Sequence, residues 1–501
     1  MNQIIIDVSM NESKVAILED DEMVELYIEH DDSKKVTGNI YKGRVVNVLP
    51  GMQAAFIDIG LEKNAFLYVK DALPKEMFSN KKINLKDIDI KSIIKSGQEL
   101  IVQVVKEPYG TKGARVTTHI SIPGRHVVLM ADTNYIGISR KITAEKDRDR
   151  LRKLAEKYKP KDMGVILRTA SGNIDEEEFK HDIDYLLKIF NNIDKEKKLG
   201  VAPRIIYKDL DIIQRTVRDL FTKNIDKLII NNKQSYDSII KLADMVSPEL
   251  KSRIECLDDI HDIFGYFKID GMISKALDKK VWLKSGGYII IDETEALTSI
   301  DVNTGKYVGS INLEDTVLQT NIEAAKEIAK QLMLRNIGGI IIIDFIDMSN
   351  AQYEKRVLDE LEQALKKDRT KSTVFGMTQL GLVEMTRKKT RSRLTEKLLR
   401  SCPYCDGTGK VESEDFVLSK IEKEVKRTKY HTTAEAIIFK VNPSIQKYIE
   451  NEVKDYIDSI KNEYNIEIHF IIDTTIHYND VKVFRIGKKE YIENTLKEEK
   501  L

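Results

Sequence analysis

Two strand ends in this sequence carry side chains that could bind a divalent cation. The segment GGIIIIDFIDM (338–348) runs through four consecutive isoleucines into Asp344 and Asp347, and a second apolar run ends at Asp301 and Asn303. Side chains at neighbouring strand ends converge on a crevice of an α/β sheet. Oxygen ligands with no histidine nearby in sequence favour Mg²⁺ or Mn²⁺ over Zn²⁺. The alternative is that Asp344 and Asp347 cap the turn before a following helix.

Two cysteines form a second candidate metal site. Cys402 and Cys405 lie in SCPYCDGTGK, whose glycines favour a knuckle that presents both thiolates. Structural zinc needs four ligands, and the remaining cysteine, Cys256, lies in a segment that we predict to be helical. Half a zinc site in one chain indicates that a second chain supplies the other half. A redox pair or unbound thiols are the alternatives.

Aromatic residues and lysines within residues 38–118 suit single-stranded nucleic acid. Phe56 and Phe66 belong to neighbouring predicted strands, and Lys106 and Lys112 follow them. Rings on the face of a small barrel can stack on bases while ammonium groups meet phosphates. The alternative, which the sequence by itself favours, is that both phenylalanines belong to the barrel core.

Short strands and a few long helices must position these residues. From Gly38 onward, five strands separated by Gly, Pro and Asn turns extend over about 80 residues, a spacing typical of a small barrel. A Lys- and Asp-rich insertion over 71–97 predicts a surface loop. A mixed unit with a helix over 176–197 follows. The carboxylates lie in a strand–helix alternation with helices over 314–335 and 351–367, which predicts α/β packing around a central sheet.

The composition limits the classes of protein to which the chain can belong. With 501 residues, of which 42% are hydrophobic and 32% charged, it is long enough for three or more folded domains. No stretch approaches the roughly 18 consecutive apolar residues of a membrane span. The N-terminal segment MNQIIIDVSMNESK lacks the basic region of a secretory signal, and three cysteines cannot make a disulfide framework. These features predict a cytoplasmic protein without a membrane span.

Charge is balanced over the whole chain but uneven along it. Lys+Arg and Asp+Glu both total 81. Residues 38–118 hold 13 basic and 8 acidic side chains, a net charge of +5, and residues 366–400 hold 11 basic and 3 acidic, a net charge of +8. Two basic regions offset by acid elsewhere are consistent with a localised phosphate-binding surface. Solvated helix faces are the alternative.

Taken together, these stretches closely resemble the bacterial ribonuclease E/G family, in its short G-like form. The resemblance covers about 400 residues in the family's order. It rests on GNIYKGRVVNVLPGMQAAFIDIG, KEPYGTKGARVTTHISIPGRHVVLM, GISRKI, ILRTA, SGGYIIIDETEALTSIDVNTG, GGIIIIDFIDM, LGLVEMTRKK and CPYCDGTG. The LGLVEMTRKK motif and the length favour the G-like form.

The resemblance implies a multidomain fold of α/β and β parts. An RNase H-like part, split in sequence, would carry an inserted OB-fold barrel and a 5′ sensor, followed by a DNase-I-like catalytic domain, a zinc link and a small C-terminal α/β domain. The expected bounds are 1–37 and 206–275 for the RNase H-like part, 38–118 for the OB fold, 119–205 for the 5′ sensor, 276–400 for the catalytic domain, 401–412 for the zinc link and 413–501 for the C-terminal domain. We expect no RNase H activity, since no intact acidic site is visible in the N-terminal part.

Positions in the shared motifs also imply roles for the catalytic residues. Asp301 and Asp344 would be ligands of a catalytic Mg²⁺, with Asn303 as a supporting residue. Asp347 would instead stand at the start of the next helix. The metal would activate water and stabilise charge on a phosphoryl group.

The resemblance places a 5′-monophosphate pocket on Arg168 and Thr169 of ILRTA, with Gly124 and Val128 beside them. A guanidinium suits bidentate phosphate contact, and a hydroxyl beside it can add a hydrogen bond. The alternative for Arg168 is an ion pair with an acid among residues 176–178.

Two further sets of residues match family positions. Phe56, Phe66 and Lys112 would match the RNA-gripping positions of the OB fold, and the residue pattern adds Lys106 to this predicted RNA-binding surface. The zinc link, through which two protomers share one ion, would use Cys402 and Cys405.

The function implied is a Mg²⁺-dependent endoribonuclease that cleaves single-stranded RNA in rRNA processing and mRNA decay. Its products would carry 5′-phosphate and 3′-hydroxyl ends, and a 5′-monophosphate would stimulate it. The expected assembly is a homodimer or homotetramer held by zinc. The alternative is a non-catalytic RNA-binding or assembly protein on the same scaffold, which loss of a metal-binding aspartate would indicate; both aspartates are present.

Overall fold

The chain forms two compact units, Met1–Lys397 and Leu398–Leu501. Most of the insertion predicted over 71–97 lies outside the described residues. Among the residues that the structure describes, no helix combines the length and the apolar character that crossing a membrane requires. The computed structural model describes residues 1–30, 35–73, 89–108, 112–131, 133–305 and 313–499.

The first sheet begins at the N-terminus with three antiparallel strands. They are β1 (Asn2–Val8), β2 (Glu12–Glu19) and β3 (Glu22–His30). The isoleucines of β1, from Ile4 to Ile6, are fully buried. A strand buried on both faces must be central in its sheet. The second neighbour of β1 is a strand from much later in the chain.

The predicted barrel is present and closed. Its strands are β4 (Ile40–Leu49), β5 (Ala54–Asp58), β6 (Ala65–Tyr68), β7 (Glu99–Lys106) and β8 (Arg115–Thr117), with a 3₁₀ turn at Pro50–Met52 and helices α1 (Val69–Ala72) and α2 (Ile90–Ile93). The order is β4-β5-β6-β8-β7, and β7 pairs back with β4. Small and branched side chains that alternate along β5 and β6 fill the interior: Ala55, Ile57, Ala65 and Leu67.

A four-stranded sheet with two long helices follows the barrel. Its elements are β9 (Ser121–Pro123), β10 (Val127–Met130), β11 (Ile136–Ile138), α3 (Glu145–Tyr158), β12 (Gly164–Leu167), a 3₁₀ turn at Thr169–Ser171 and α4 (Glu176–Glu196). The strand order is β11-β12-β10-β9. A capping box between Asp175 and Glu178 begins α4 at the residue predicted from its apolar spacing. The buried face of α4 belongs to the same core as β10.

The chain then returns to complete the first sheet. This segment contains β13 (Arg204–Tyr207), α5 (Ile212–Asp219), β14 (Lys227–Ile230), α6 (Lys233–Val246), a 3₁₀ turn at Pro248–Arg253, β15 (Ile254–Cys256), α7 (Ile263–Tyr266) and α8 (Ile269–Leu277). β13 adds to β4 of the barrel. β14 lies parallel to β1, so the sheet order is β15-β14-β1-β2-β3. Cys256 ends a strand, so its predicted helical setting is wrong.

The carboxylates lie in a six-stranded sheet of the larger unit. Its elements are β16 (Lys280–Trp282), β17 (Tyr288–Glu293), β18 (Leu297–Asn303), α9 (Leu313–Leu334), β19 (Gly339–Asp344), α10 (Ala351–Leu365), β20 (Ser372–Met377), β21 (Leu382–Arg387) and α11 (Leu394–Leu398). The order is β16-β17-β18-β19-β21-β20. Apolar residues of α9 and α10 share one core with the strands. Both helices therefore cover one face of the sheet, whereas the second face, here called the open face, is accessible: Asp301, Ile340, Asp344 and Glu384 on it are exposed.

The smaller unit is built on a three-stranded sheet. Its elements are α12 (Glu414–His431), β22 (Ala436–Val441), α13 (Pro443–Asn451), α14 (Lys454–Tyr464), β23 (Glu467–Ile472), β24 (Val481–Gly487) and α15 (Lys489–Glu499). β22 lies in the middle, parallel to β23 and antiparallel to β24. Five of the six residues of β22 are buried, as expected for a central strand.

Candidate active site

Asp301 and Asp344 are direct neighbours on the open face. β18 and β19 run parallel, and the two aspartates are partners in their ladder. Adjacent strands lie about 4.8 Å apart, so the two backbones are close. Both aspartates are exposed, whereas Ile300 and Ile343, one residue before each, are buried in the core. Alternation along the strands therefore directs both carboxylates away from the helices.

Asn303 lies next to this pair and orients one of its members. Its Nδ2 donates a hydrogen bond to Oδ2 of Asp301 (2.7 Å). Among the described residues, no group of three or more His, Cys, Asp or Glu side chains could hold a metal ion. Two carboxylates and an amide nevertheless fit Mg²⁺, which keeps several waters and commonly binds through one or two carboxylates plus a substrate phosphate.

A buried asparagine on α9 fixes the turn that follows Asp344. Asn321 is fully buried; its Nδ2 donates to the carbonyl of Ile346 (2.8 Å), and its Oδ1 accepts from the Ile346 N–H (3.1 Å). Helix α10 begins after Asn350, whose side chain accepts from the backbone of Gln352. Asp347 is an exposed loop residue, so its predicted place at the start of the helix is wrong.

The phenylalanines of the barrel lie outside its core. Phe56 and Phe66 are opposite each other on β5 and β6, with ring centroids 5.7 Å apart in an edge-to-face arrangement. The ring of Tyr68 lies 5.0 Å from that of Phe66. All three alternate with inward-facing residues and are partly or fully exposed. They form an aromatic surface rather than the core packing that the sequence by itself favoured.

Basic residues border this aromatic surface. Arg115 is the ladder partner of both Phe66 and Lys106, which places these side chains in one row across the barrel. Lys106 and Lys112 are exposed. Lys112 precedes Gly113, where a Cβ atom would lie 2.0 Å from the carbonyl oxygen of Asn64. Only glycine permits this approach, which holds the backbone at Lys112 beside the start of β6.

Arg168 follows β12 and is held by the protein itself. Its Nη1 donates to the Gly124 carbonyl (2.5 Å) and to Oδ1 of Asp219 (2.6 Å). Burial acts to raise the pKa of Asp219, but hydrogen bonds and charges from Arg218 and Arg168 outweigh it and hold this pKa below its usual value. The alternative pairing with residues 176–178 is wrong. Nε and Nη2 of Arg168 have no hydrogen bond within the described part of the chain, so a phosphate oxygen can bind there.

The other residues of the predicted pocket differ in exposure and in the contacts they make. Thr169 is exposed, and its Oγ1 lies 2.8 Å from Oγ of Ser139 in the GISRKI motif. Val128 is half-buried and pairs with Ile166 on the neighbouring strand. Arg168 and the Thr169–Ser139 hydroxyl pair thus follow the same end of this sheet, but the guanidinium reaches toward the β9 side and the hydroxyls toward β11.

Gly124 is buried and has a packing role. A Cβ atom there would lie 2.6 Å from Oδ1 of Asp182, whose carboxylate accepts three successive backbone N–H groups. The donors are Arg125, His126 and Val127, at 3.1, 2.9 and 2.9 Å. Any larger residue would break this arrangement, and with it the carbonyl that orients Arg168.

Comparison with known proteins identifies the family. The model described as "Ribonuclease E/G family" matches residues 121–390, and Ribonuclease G of Escherichia coli K12 is 41% identical over 454 residues, which cover 90% of this chain and 92% of that protein. The chain belongs to the ribonuclease E/G family. Ribonuclease G of Haemophilus influenzae is 42% identical over 452 residues, with the same coverage.

The share of each relative that the alignment covers differs between long and short relatives. Ribonuclease E of Haemophilus influenzae is 31% identical over 494 residues, which cover 98% of this chain but 53% of that protein. Ribonuclease G relatives are instead covered almost throughout, in agreement with the G-like resemblance. A second model, described as "RNase E/G, Thioredoxin-like domain", matches residues 401–486. It refines the α/β domain predicted at the C-terminus of this ribonuclease E/G chain.

The two cysteines of the ribonuclease E/G motif CPYCDGTG lie on a knuckle in the smaller unit. The turn is closed by backbone hydrogen bonds from Gly407 to Cys402 and from Thr408 to Cys405. Cys402 is exposed and Cys405 half-buried, and both are free thiols. The Gly409 N–H donates to Sγ of Cys405 (3.2 Å), and this bond lowers the pKa of that thiol. Both sulfurs can therefore be presented to a soft metal ion.

Several residues around the candidate sites were not predicted from the sequence. Tyr68 could have been predicted from the sequence, because it lies two residues after Phe66 on β6 and therefore on the same face. The others are brought in by tertiary contacts between distant segments, which spacing along the chain does not reveal. The missed residues are Tyr68, Arg115, Ser139, Asp182, Asp219 and Asn321.

Proposed function

We propose that the chain is a Mg²⁺-dependent endoribonuclease that cleaves single-stranded RNA to products with 5′-phosphate and 3′-hydroxyl ends. The observation that carries the proposal is the ladder pairing of Asp301 with Asp344 on an open sheet face. Like charges so close repel, and a cation between them removes the repulsion. Bound Mg²⁺ would supply charge neutralisation at the scissile phosphate and lower the pKa of water there.

Within this proposal, the chain's own residues have separate tasks. Asp301 and Asp344 hold the ion, and Asn303 keeps the Asp301 carboxylate in place through its amide N–H. Asn321 fixes the backbone after Asp344. The open face gives an extended strand access to the carboxylates, since neither α9 nor α10 covers it.

The barrel would grip the RNA chain. Its exposed rings can stack on successive bases, and the neighbouring cations can meet phosphates without regard to sequence. The geometry of this surface supports the proposal because Phe56 and Phe66 pair across β5 and β6, and Arg115 joins Phe66 to Lys106 in one ladder row. The residues concerned are Phe56, Phe66, Lys106 and Lys112.

A 5′-monophosphate would bind at Arg168 and Thr169, with Gly124 and Val128 shaping the pocket. The guanidinium is already oriented by Gly124 and Asp219, so little side-chain entropy is lost on binding. A 5′-hydroxyl end lacks the charge to engage it. We propose that this contact favours docking of monophosphorylated RNA and thereby stimulates cleavage.

The remaining assignments follow from family membership. We propose that the sheet of β1–β3, β14 and β15 is the RNase H-like part, and that the sheet carrying the carboxylates is the DNase-I-like catalytic domain. Cys402 and Cys405 would supply half of a Zn²⁺ site shared by two subunits of a homodimer or homotetramer. Action in the cytoplasm, on rRNA precursors and mRNA, completes the proposal.

Cleavage assays on Asp344→Asn test the proposal. The substrate is a 5′-monophosphorylated single-stranded RNA, with and without Mg²⁺. The substitution keeps size but removes one charged ligand, so cleavage should fall at least 100-fold while RNA binding stays within about twofold. Asp359→Asn, which removes an exposed carboxylate from α10 on the covered side of the sheet, should cleave like the wild type.

Two outcomes contradict the proposal. Wild-type rates in Asp344→Asn at ordinary Mg²⁺ would remove the carboxylate pair from the mechanism. A wild-type protein that binds RNA but leaves it intact, with Mg²⁺ present, would favour the alternative of a non-catalytic RNA-binding or assembly protein.

A further inference from the structure

A lysine and two aromatic rings form a cluster on the edge of the sheet that carries the carboxylates. Lys280 Nζ lies 3.9 Å from the ring centroid of Trp282 and 3.6 Å from that of Tyr288. The two rings meet edge to face, with centroids 5.4 Å apart. We call Lys280, Trp282 and Tyr288 the aromatic platform. No predicted role involves these three residues.

Strand pairing puts the platform on the same face as the carboxylates. Trp282 lies opposite Tyr288, and Tyr288 lies opposite Asn303. Directly paired residues of neighbouring strands point to the same side of a sheet. Two strand spacings separate Trp282 from Asn303, a distance of roughly 10 Å. The platform therefore lies beside the carboxylate pair, at a distance that a neighbouring nucleotide can bridge.

The platform is not needed for the core. The core of this sheet lies on its other face, under α9 and α10. Trp282 is 63% exposed, although an indole is the largest apolar surface that any side chain can offer to a partner. β16 is an edge strand of only three residues, so the rings could brace it against β17. Bracing accounts for the contact between the rings but leaves most of the indole uncovered.

The chemistry of the platform suits a nucleobase. A base stacks on an exposed indole without regard to sequence, and a lysine beside the ring adds attraction to the adjoining phosphate. Such a contact would be useful next to the carboxylates, because Asp301 and Asp344 repel an RNA backbone until a cation binds. A stacked base next to them anchors the strand without adding negative charge, whereas a paired base in a duplex cannot offer its face.

We propose that the aromatic platform is a stacking subsite for one unpaired base of the RNA strand, adjacent to the scissile phosphate. This inference rests on the proposed function, since it names a further residue set that positions the same substrate. Trp282 is the principal contact, Tyr288 supports its ring edge to face, and Lys280 faces the phosphate. The subsite belongs to the catalytic sheet and is separate from the barrel surface.

Trp282 makes the test direct because it is the only tryptophan in the chain. The experiment uses full-length Asp344→Asn protein, which should bind RNA without cutting it, and a dye-labelled single-stranded 10-mer. Anisotropy of the dye reports binding anywhere on the protein, and tryptophan fluorescence reports stacking at the platform. We expect both signals to saturate at the same RNA concentration, with quenching of the indole. A duplex of the same length, or inorganic polyphosphate, should not quench it.

Cleavage by platform variants supplies the second readout. Trp282→Ala in the otherwise wild-type chain should lower kcat/KM for single-stranded RNA roughly five- to 150-fold, the usual range for loss of one base stack. Trp282→Phe keeps a ring and should lose less than about fivefold. Tyr430→Ala, which removes an aromatic side chain of 76% exposure from the smaller unit, should leave kcat/KM unchanged. An abasic nucleotide scanned along the RNA should reproduce the loss at one position, and Trp282→Ala should be insensitive to it there.

The outcomes separate failure of the subsite from failure of the proposed function. If anisotropy saturates while tryptophan fluorescence stays constant, RNA binds elsewhere and the subsite is wrong. If anisotropy does not rise at all, the proposed function fails first. A fluorescence change that follows protein concentration instead of RNA would make the platform a contact between copies of the chain and overturn the proposal. Equal losses in Trp282→Ala and Trp282→Phe, with a lowered melting temperature in both, would make the platform a brace for β16.

Discussion

The guanidinium of Arg168 is already bound on one side by the protein itself. One nitrogen is bound to a carbonyl and a carboxylate, and the other edge of the guanidinium has no partner among the described residues. The Asp219 carboxylate is shared with Arg218. In the proposed sensor role, this arrangement would make a prepared anion site: the arginine is fixed in advance, and its residual charge is reduced but not cancelled.

Substitution of Arg168 tests the prepared site. Arg168→Ala should slow cleavage of 5′-monophosphorylated RNA to the rate of 5′-hydroxyl RNA and leave the latter almost unchanged. Asp219 retains Arg218, so the fold should tolerate the change. The measurement is kcat/KM for both substrates in parallel. Equal slowing of both would make the residue structural or catalytic and would rule out the sensor role.

Asp209 gives a pH-dependent prediction. Burial raises its pKa, opposed in part by a backbone hydrogen bond from Leu210 and the charge of Arg218. One of its oxygens, Oδ1, is buried without a hydrogen bond in the described structure. A folded pKa above the unfolded value means that stability is lost as pH rises through the folded pKa. The neutral Asp209→Asn should therefore be more stable than wild type at pH 7, by about 1.4 kcal/mol for each unit by which the pKa is raised.

Urea unfolding at pH 7 and at pH 3.5 measures this effect. The advantage of Asp209→Asn should shrink at the lower pH, where the wild-type carboxyl is largely protonated in both states. An advantage of equal size at both pH values would assign the stabilisation to a neutral hydrogen bond instead of to relief of charge burial.

At the scale of elements, α9 holds two turns next to the candidate active site. It lies under the sheet and contacts two of its turns: Asn321 binds the backbone after β19, and Glu323 accepts the N–H groups of Lys284 and Ser285 before β17. One helix thus sets the positions of the strand that carries Asp344 and of the turn beside the aromatic platform.

A substitution at Asn321 should separate this positioning role from simple packing. Asn321→Leu keeps the volume but leaves a buried N–H and a buried carbonyl without partners, at a cost of about 1–3 kcal/mol each. We expect a lower melting temperature and, below it, reduced kcat with little change in RNA affinity. Lys326→Ala, an exposed change on the same helix, should alter stability by less than about 0.5 kcal/mol. Full activity in folded Asn321→Leu would contradict the positioning role.

Periodicity in the sequence predicted many of the elements correctly, for identifiable reasons. The helices over 176–197, 314–335 and 351–367 were found within two residues at each end, because their apolar spacing is long and regular. The closed barrel followed from five short strands with turn residues between them. β3 was missed: its apolar residues are interleaved with glutamates, which blurs the pattern.

Prediction of the sites was limited by contacts between distant segments. Asp301 and Asp344 could be placed at strand ends, but their direct pairing depends on strand order, which the sequence does not state. Asp219 lies 51 residues from its partner Arg168, and no local pattern links them. Asp347 was misplaced because Asn350, an equally good capping residue, takes the helix start.

At the scale of the whole molecule, the carboxylates and the cysteine knuckle belong to different compact units of the chain. The larger unit contains Asp301 and Asp344, and the smaller contains Cys402 and Cys405. In the proposed shared zinc site, we expect the ion to hold two chains together. Four thiolates complete a tetrahedral site, and each chain offers two.

The predicted stoichiometry is one zinc ion per two chains. Native mass spectrometry with metal analysis should find a zinc-containing dimer or tetramer, and Cys402→Ser should lose both the metal and the assembly. Cys256→Ser is the matched control, since that cysteine ends β15 in the larger unit. A stable metal-free dimer, or a disulfide between Cys402 and Cys405 in reducing buffer, would contradict the shared site.

The pairing of β1 with β14 has a consequence for how the chain is made. Ile4 pairs with Leu228 in the ladder, so the central strand of the first sheet is synthesised more than 220 residues before its partner strand. At 5–20 residues per second, a ribosome needs about 10–45 s to supply it. Throughout that interval the isoleucine edge of β1 is open to strand pairing with other nascent chains. Slower elongation, or loss of the chaperones that cover such edges, should reduce the yield of folded protein before any active-site residue has been synthesised.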